Sequence, residues 1–328
     1  MIFNILIYFL LSFLVLLLSS KISYYLKFVV VPNKRKMHLR PVAYTGGVGI
    51  CLIYICAIYL FNFSTELNLI LSISFLITIV GFVDDRYNLN PGGKLCLQIL
   101  PIFYLITLEN FNLNNMGNYD YFILKLNTFS IPFTLIAVLF LINSFNYFDG
   151  LDGVLSFTSI STLGILFFLT SDENVKLFLI IILIPILIFL FFNFSIFRLP
   201  KLFLGDNGSL LLGFVIAFTL IYMNSQKIIH PILLAFSISI FTYEFLSINF
   251  IRLKYKKNIF TPGQDHLHHI LFKYTNSIFL TNTYIFFSNI IIFIIGYTSF
   301  LLIGPFASFI IFIILFVIFL ILRKKYQL

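Results

Sequence analysis

The chain of 328 residues has no tryptophan, only three cysteines and little charge, with Asp, Glu, Lys and Arg together at 10%. So few charges cannot coat a globule in water, which excludes a soluble domain. Cys51, Cys56 and Cys96 lie in or beside apolar runs without paired spacing, which excludes a disulfide framework or a cysteine-based metal site. No long polar linker, low-complexity tract or internal repeat is visible, and the missing repeat counts against a transporter built from paired halves. What remains is 60% hydrophobic residues and a mean hydropathy of +1.05. Apolar runs of about 20 residues alternate with short polar breaks, the length a helix needs to cross a bilayer, and the dyad alternation of a membrane barrel is absent. The expected fold is therefore all-α, a polytopic membrane protein forming one integral membrane domain over 1–328.

Eleven spans are expected, at roughly 2–20, 46–63, 67–83, 95–108, 130–147, 153–170, 176–196, 208–224, 229–251, 279–300 and 304–322, with ten as the alternative count. The first run, Ile2 to Ser20, lacks a basic flank and a small-residue cleavage site, so it reads as a span and not a signal peptide. Basic segments resist translocation, and with the N-terminus outside all but Lys125, Lys176 and Lys227 of the 21 basic residues lie on the inside. The C-terminus is then cytoplasmic. The net charge of +9 becomes an inner surface facing anionic headgroups or an anionic substrate, with no nucleic-acid partner.

Acidic residues answer to no such rule, yet Asp84, Asp85, Asp149, Asp152, Asp206 and Asp265 all fall at the cytoplasmic ends of spans or in the loops beside them. Adjacent Asp84 and Asp85, followed by Arg86 and Lys94, suit a magnesium ion or a shared proton; a solvated helix end neutralised by Arg86 is the plainer reading. Asn143, Asn146 and Asp149 recur every third residue and share a helix stripe, with Asp152 brought near by Gly150 and Gly153; a helix-ending turn is the alternative. Asp206, between Gly205 and Asn207-Gly208, is either a metal carboxylate or a helix cap. His266, His268 and His269 follow Asp265 in a basic loop, where they suit phosphate or nucleotide contacts or form a merely solvated run; a zinc site would want more ligands. Together the groups describe a site for a polyanionic, metal-bound substrate.

In order and spacing these groups resemble the polyprenyl-phosphate N-acetylhexosamine-1-phosphate transferase family, relatives of the phospho-N-acetylmuramoyl-pentapeptide transferase. The likeness runs from Arg35-Lys-Met-His38 with Pro41 and Gly46-Gly47, through Asp84-Asp85 with Lys94 and Gln98. It continues through Asn143-x-x-Asn146-x-x-Asp149-Gly-x-Asp152-Gly and Gly205-Asp206-x-Gly-Ser209 to His266-x-His268-His269. Two positions depart from the family pattern: Gly263 and Glu244 each stand where Asp is usual. The resemblance implies an enzyme that moves a sugar 1-phosphate, GlcNAc-1-phosphate above all, from a UDP-sugar to undecaprenyl or another polyprenyl phosphate. UMP is released, and the lipid-linked product starts O-antigen, lipopolysaccharide or another cell-envelope chain.

It further implies Mg²⁺, with Mn²⁺ as substitute, held by Asp206 and Asp85, and a catalytic set of Asp84, Asp85, Asp149 and Asp152. Substrate contacts fall to His38, Lys94, Asn143, Asn146, His266, His268 and His269. The expected setting is the bacterial inner membrane, with the N-terminus periplasmic, the active site cytoplasmic and a homodimer as the assembly. Two other readings stay open here. One is a muramoyl-pentapeptide transferase, disfavoured because that branch tends to show three consecutive histidines; the other is a cation-coupled transporter, disfavoured because the carboxylates avoid the bilayer midplane.

Overall fold

A computed structural model describes residues 2–31, 41–258, 263 and 265–327, with the backbone alone described at 326 and 327. His38, with the rest of the Arg35–His38 motif, lies outside the described residues. The chain is all-α apart from two small antiparallel hairpins. Along it run α1 (Ile2–Tyr25), α2 (Gly46–Leu60), α3 (Thr65–Tyr87), α4 (Pro91–Thr107), α5 (Ser130–Phe148), α6 (Val154–Leu169) and α7 (Glu173–Asn193). They are followed by α8 (Gly205–Ser225), α9 (Pro231–Ser237), α10 (Ser239–Lys254), α11 (Leu267–Thr275), α12 (Ile278–Leu302) and α13 (Pro305–Gln327). The hairpins pair β1 (Val29–Val30) with β2 (Val42–Ala43) and β3 (Asn115–Asn118) with β4 (Ile123–Lys125).

Each of the eleven expected spans falls on an apolar helix, with one exception in form. The run 229–251 is α9 and α10, bent by 72° at Ile238. Among the described residues, seven helices are long and apolar enough to cross a membrane, or eight counting the bent pair, while α2, α4 and α6 are shorter. At about 1.5 Å per residue a 15-residue helix such as α2 reaches roughly 23 Å, short of a bilayer core of about 30 Å. Eleven is thus the number of apolar elements and not of helices with full spanning length. This is a multi-pass membrane protein.

The centre of the bundle is α8, buried without interruption from Asn207 to Met223, while α1 and α13 present long apolar faces outward. Between lipid-embedded helices there is no hydrophobic drive to associate, so close backbone approach and polar contacts must supply it. Both operate where α8 begins. A Cβ on Gly47 of α2 would stand 2.2 Å from Gly208 Cα, and one on Gly81 of α3 would stand 2.4 Å from Asn207 Cα. Only glycine lets α2 and α3 touch the first turn of α8.

The bend in α9–α10 is satisfied from outside. Asn289 of α12 donates to Ser237 O (3.1 Å) and Ser161 Oγ (3.0 Å) and accepts from Ser239 Oγ (3.2 Å) and Ile240 N (3.4 Å). Thr162 of α6 donates to the same Ser237 carbonyl at 2.9 Å. A break at membrane depth persists only where freed backbone groups find such partners.

Candidate active site

The site forms where α3 and α5 end and α4 and α8 begin. The carboxylates of the Asp84-Asp85 pair take different partners. Asp84 Oδ1 accepts from Leu89 N (2.8 Å), and its Oδ2 lies 2.7 Å from Lys94 Nζ. Asp85 turns to α8: its Oδ1 accepts from Asp206 N (3.0 Å), and its Oδ2 accepts from Asn207 N (3.0 Å) and Asn207 Nδ2 (2.5 Å). It is a cap supplied by another helix, satisfying the orphan N–H groups of α8 and sitting at the positive end of its dipole. Both oxygens of Asp85, a residue expected at a metal, accept hydrogen bonds in this cap.

Lys94, near the start of α4, is the hub. Its ammonium stands 2.7 Å from Asp84 Oδ2, 2.5 Å from Asp206 Oδ2 and 3.3 Å from Asn146 Oδ1. Asn146 donates in turn to Asp206 Oδ1 (3.0 Å) and Ser209 Oγ (2.8 Å). The side chains of Lys94 and Asp84 are 12% and 10% exposed, against 35% for Asp206. Asp206 is therefore the most open of the three. Asn143, one turn deeper, donates to Gln98 Oε1 (3.1 Å) and Leu139 O (2.7 Å), and its expected stripe with Asn146 is present.

Asp149 ends α5 as its C-cap. Burial pushes its pKa well above the usual carboxylate range, and the neighbouring carboxylates of Asp206, Asp85 and Asp152 add to the shift. Asp152 pairs with Lys201 at 2.6 Å, and its carbonyl accepts from Asn282 Nδ2 at 2.8 Å, which ties the loop after α5 to α12.

The histidines approach from the opposite wall. His266 packs edge-on to Tyr147, and His268 lies by Phe148 over Gly150, where a Cβ would stand 2.1 Å from His268 Nε2. Among the described residues, neither ring nitrogen of buried His268 has a hydrogen-bond partner. Burial, followed by the charges of His269, His266 and Arg323, holds its pKa well below the ordinary histidine value.

Of the residues expected from sequence, Asp84, Lys94, Asn146 and Asp206 form one connected network, and Asp149 with the histidines borders it. Three contributors went unread: Asn207, fully buried and holding Tyr44 O and Val48 N; Ser209, bonded to Asn146; and Arg323. Asn207 and Ser209 carried a signal, since they flank Asp206 inside the Gly-Asp-x-Gly-Ser run. Two carboxylates converging on a cationic group form a hard-oxygen donor set of the kind Mg²⁺ takes when phosphate and water complete its shell. Among the described residues, no three or more His, Cys, Asp or Glu side chains gather around a single point suited to a metal.

These features define a membrane-embedded transferase site for phosphate-bearing substrates. The sequence profile of glycosyl transferase family 4 matches residues 67–224, the span from α3 to the end of α8 that supplies this network. This match and the similarity to named relatives support the polyprenyl-phosphate N-acetylhexosamine-1-phosphate transferase family that the sequence motifs resemble. It is 27% identical over 274 residues to the undecaprenyl-phosphate alpha-N-acetylglucosaminyl 1-phosphate transferase of Yersinia pestis, covering 81% of this chain and 75% of that protein. The protein of the same name in Escherichia coli K12 is 26% identical over 276 residues, covering 81% and 74%. A probable undecaprenyl-phosphate N-acetylglucosaminyl 1-phosphate transferase of Bacillus subtilis 168 is 26% identical over 264 residues, covering 73% and 68%.

Proposed function

We propose that this protein transfers a sugar 1-phosphate, GlcNAc-1-phosphate above all, from a UDP-sugar to undecaprenyl phosphate at the cytoplasmic face of the bacterial inner membrane. The observation that carries the reading is the Lys94 ammonium held between Asp84 and Asp206, with the histidine segment on the facing wall. A phosphate oxygen of the lipid attacks the β-phosphorus of the UDP-sugar, the bridging P–O bond breaks, and UMP leaves with the electron pair. Such transfers ask little covalent chemistry of a protein and much positioning and charge compensation.

Asp84 and Asp206 are the residues that would hold Mg²⁺, which when bound neutralises charge on the pyrophosphate. Lys94 supplies a further fixed positive charge. Asp149, which ends α5 beside this network, is the carboxylate placed to take a proton from the lipid phosphate. His266, His268 and His269 offer donors to the nucleotide-sugar. The names of the relatives favour a hexosamine donor over the muramoyl-pentapeptide. The homodimer expected above belongs to the same reading and is measured by the mass of the detergent-solubilised protein.

The test is UMP release from UDP-GlcNAc and undecaprenyl phosphate, with UDP-GalNAc and UDP-MurNAc-pentapeptide as competing donors. Asp84→Asn and Asp206→Asn proteins, shown folded in detergent, should lose at least about 100-fold in kcat, the scale of a lost electrostatic stabiliser. Full activity in both variants would overturn the reading.

A further inference from the structure

We propose that Arg323 of α13, paired with Glu244 of α10, is a positioning residue that fixes the histidine segment for the donor. The inference rests on the transferase reading for what the segment binds, and on geometry alone for what holds it.

Arg323 is 4% exposed and Glu244 1% exposed, and the two form a direct ion pair. The guanidinium also donates to Ser247 Oγ (2.8 Å), Glu244 O (3.3 Å) and, through Nη2, to Asp265 O at 2.7 Å. The other oxygen of Glu244 accepts from Leu267 N at 3.1 Å and lies 3.5 Å from His266 Nδ1. The pair therefore grips the carbonyl before His266 and the amide after it. A second pair acts on the same segment, with Arg252 bound to Asp265 Oδ1 (2.7 Å) and Oδ2 (3.1 Å).

Two features separate this clamp from ordinary packing. A buried ion pair gives little net stability over an apolar pair of the same shape, so its worth lies in the geometry it imposes. The clamp also holds backbone and leaves a ring uncommitted: among the described residues, neither nitrogen of His268 has a hydrogen-bond partner. A planar fork reaches the Glu244 carboxylate and the Asp265 carbonyl at once, which a lysine ammonium on a flexible stem does less well. The last helix, outside the 67–224 family match, thus becomes part of the donor site.

The decisive variant is the neutral double substitution Glu244→Gln with Arg323→Met, which removes the clamp without stranding a buried charge. Arg323→Lys is the conservative companion. In the full-length protein in nanodiscs, the double variant should keep its melting temperature and its KM for undecaprenyl phosphate, while KM for UDP-GlcNAc rises about tenfold or more. Hydrogen exchange across residues 265–270 should quicken in parallel, and Arg323→Lys should fall between. A folded double variant with unchanged donor KM and unchanged exchange overturns the proposal. So does a variant in which both KM values and the melting temperature move together, because that is structural damage alone. If the native protein releases no UMP from any UDP-sugar, the functional reading fails; the exchange measurement still decides whether the clamp exists.

Discussion

Lys94 stands within 2.7 Å of one carboxylate and 2.5 Å of another, so the oxygens of Asp84 and Asp206 it touches are at most about 5 Å apart. Two negative charges at that distance repel by roughly 3 kcal/mol at an effective dielectric of about 20, less where Asp206 opens to solvent. Lys94→Gln should therefore lower the melting temperature of the purified protein. Millimolar Mg²⁺ should raise the melting temperature of that variant more than that of the native chain, because a divalent ion can take over the vacated position. An equal response in both proteins would argue that the ion goes elsewhere. His268 makes a separate claim about pH. Its folded pKa lies well below its unfolded value of about 6.5, so its contribution to stability is complete above pH of about 6.5 and is lost as pH falls toward the folded pKa. Melting curves from about pH 8 to 5 should show that loss, and His268→Gln should flatten it.

Among the elements, the bend between α9 and α10 leans on a side chain of a third helix. Asn289→Leu removes one of the two donors to Ser237 O, which keeps Thr162, and the acceptor of Ile240 N and Ser239 Oγ in an apolar setting, at about 1–3 kcal/mol for each group left unsatisfied. The variant should melt several degrees lower, and a retained melting temperature would show the break to be self-sufficient. This bend was not legible in the sequence. Residues 229–251 form one apolar run with no Pro or Gly at Ile238, and the device that permits the break lies some fifty residues away on α12. The apolar elements themselves were legible, because lipid exposure writes their length into composition. The convergence of Asp84, Lys94, Asn146 and Asp206 was legible too, since each is a costly polar residue at the same end of its span. Asp85 and Arg323 were not. Asp85 is chemically identical to its neighbour and is told apart only by facing α8, and Arg323 reads like Lys324 and Lys325 beside it until a buried Glu244 gives it a partner.

For the whole molecule, the distribution of basic residues implies that the network end of the bundle faces the cytoplasm. In a protein with all three native cysteines replaced, Lys257→Cys should react with a membrane-impermeant maleimide only after the cells are opened. Lys227→Cys should react in intact cells with a permeabilised outer layer, and the reverse pattern would invert the topology. The cap that Asp85 places on α8 carries a further implication for biogenesis. Its two backbone donors lie 121 and 122 residues further along the chain, and at about 5–20 residues per second that is a wait of roughly 6 to 24 seconds during synthesis. Throughout that interval α3 sits in or near the membrane with Asp85 at its end and no α8 for it to cap. The transferase centre cannot exist in a half-made chain, so a nascent protein has no means of consuming lipid carrier before its central helix is inserted.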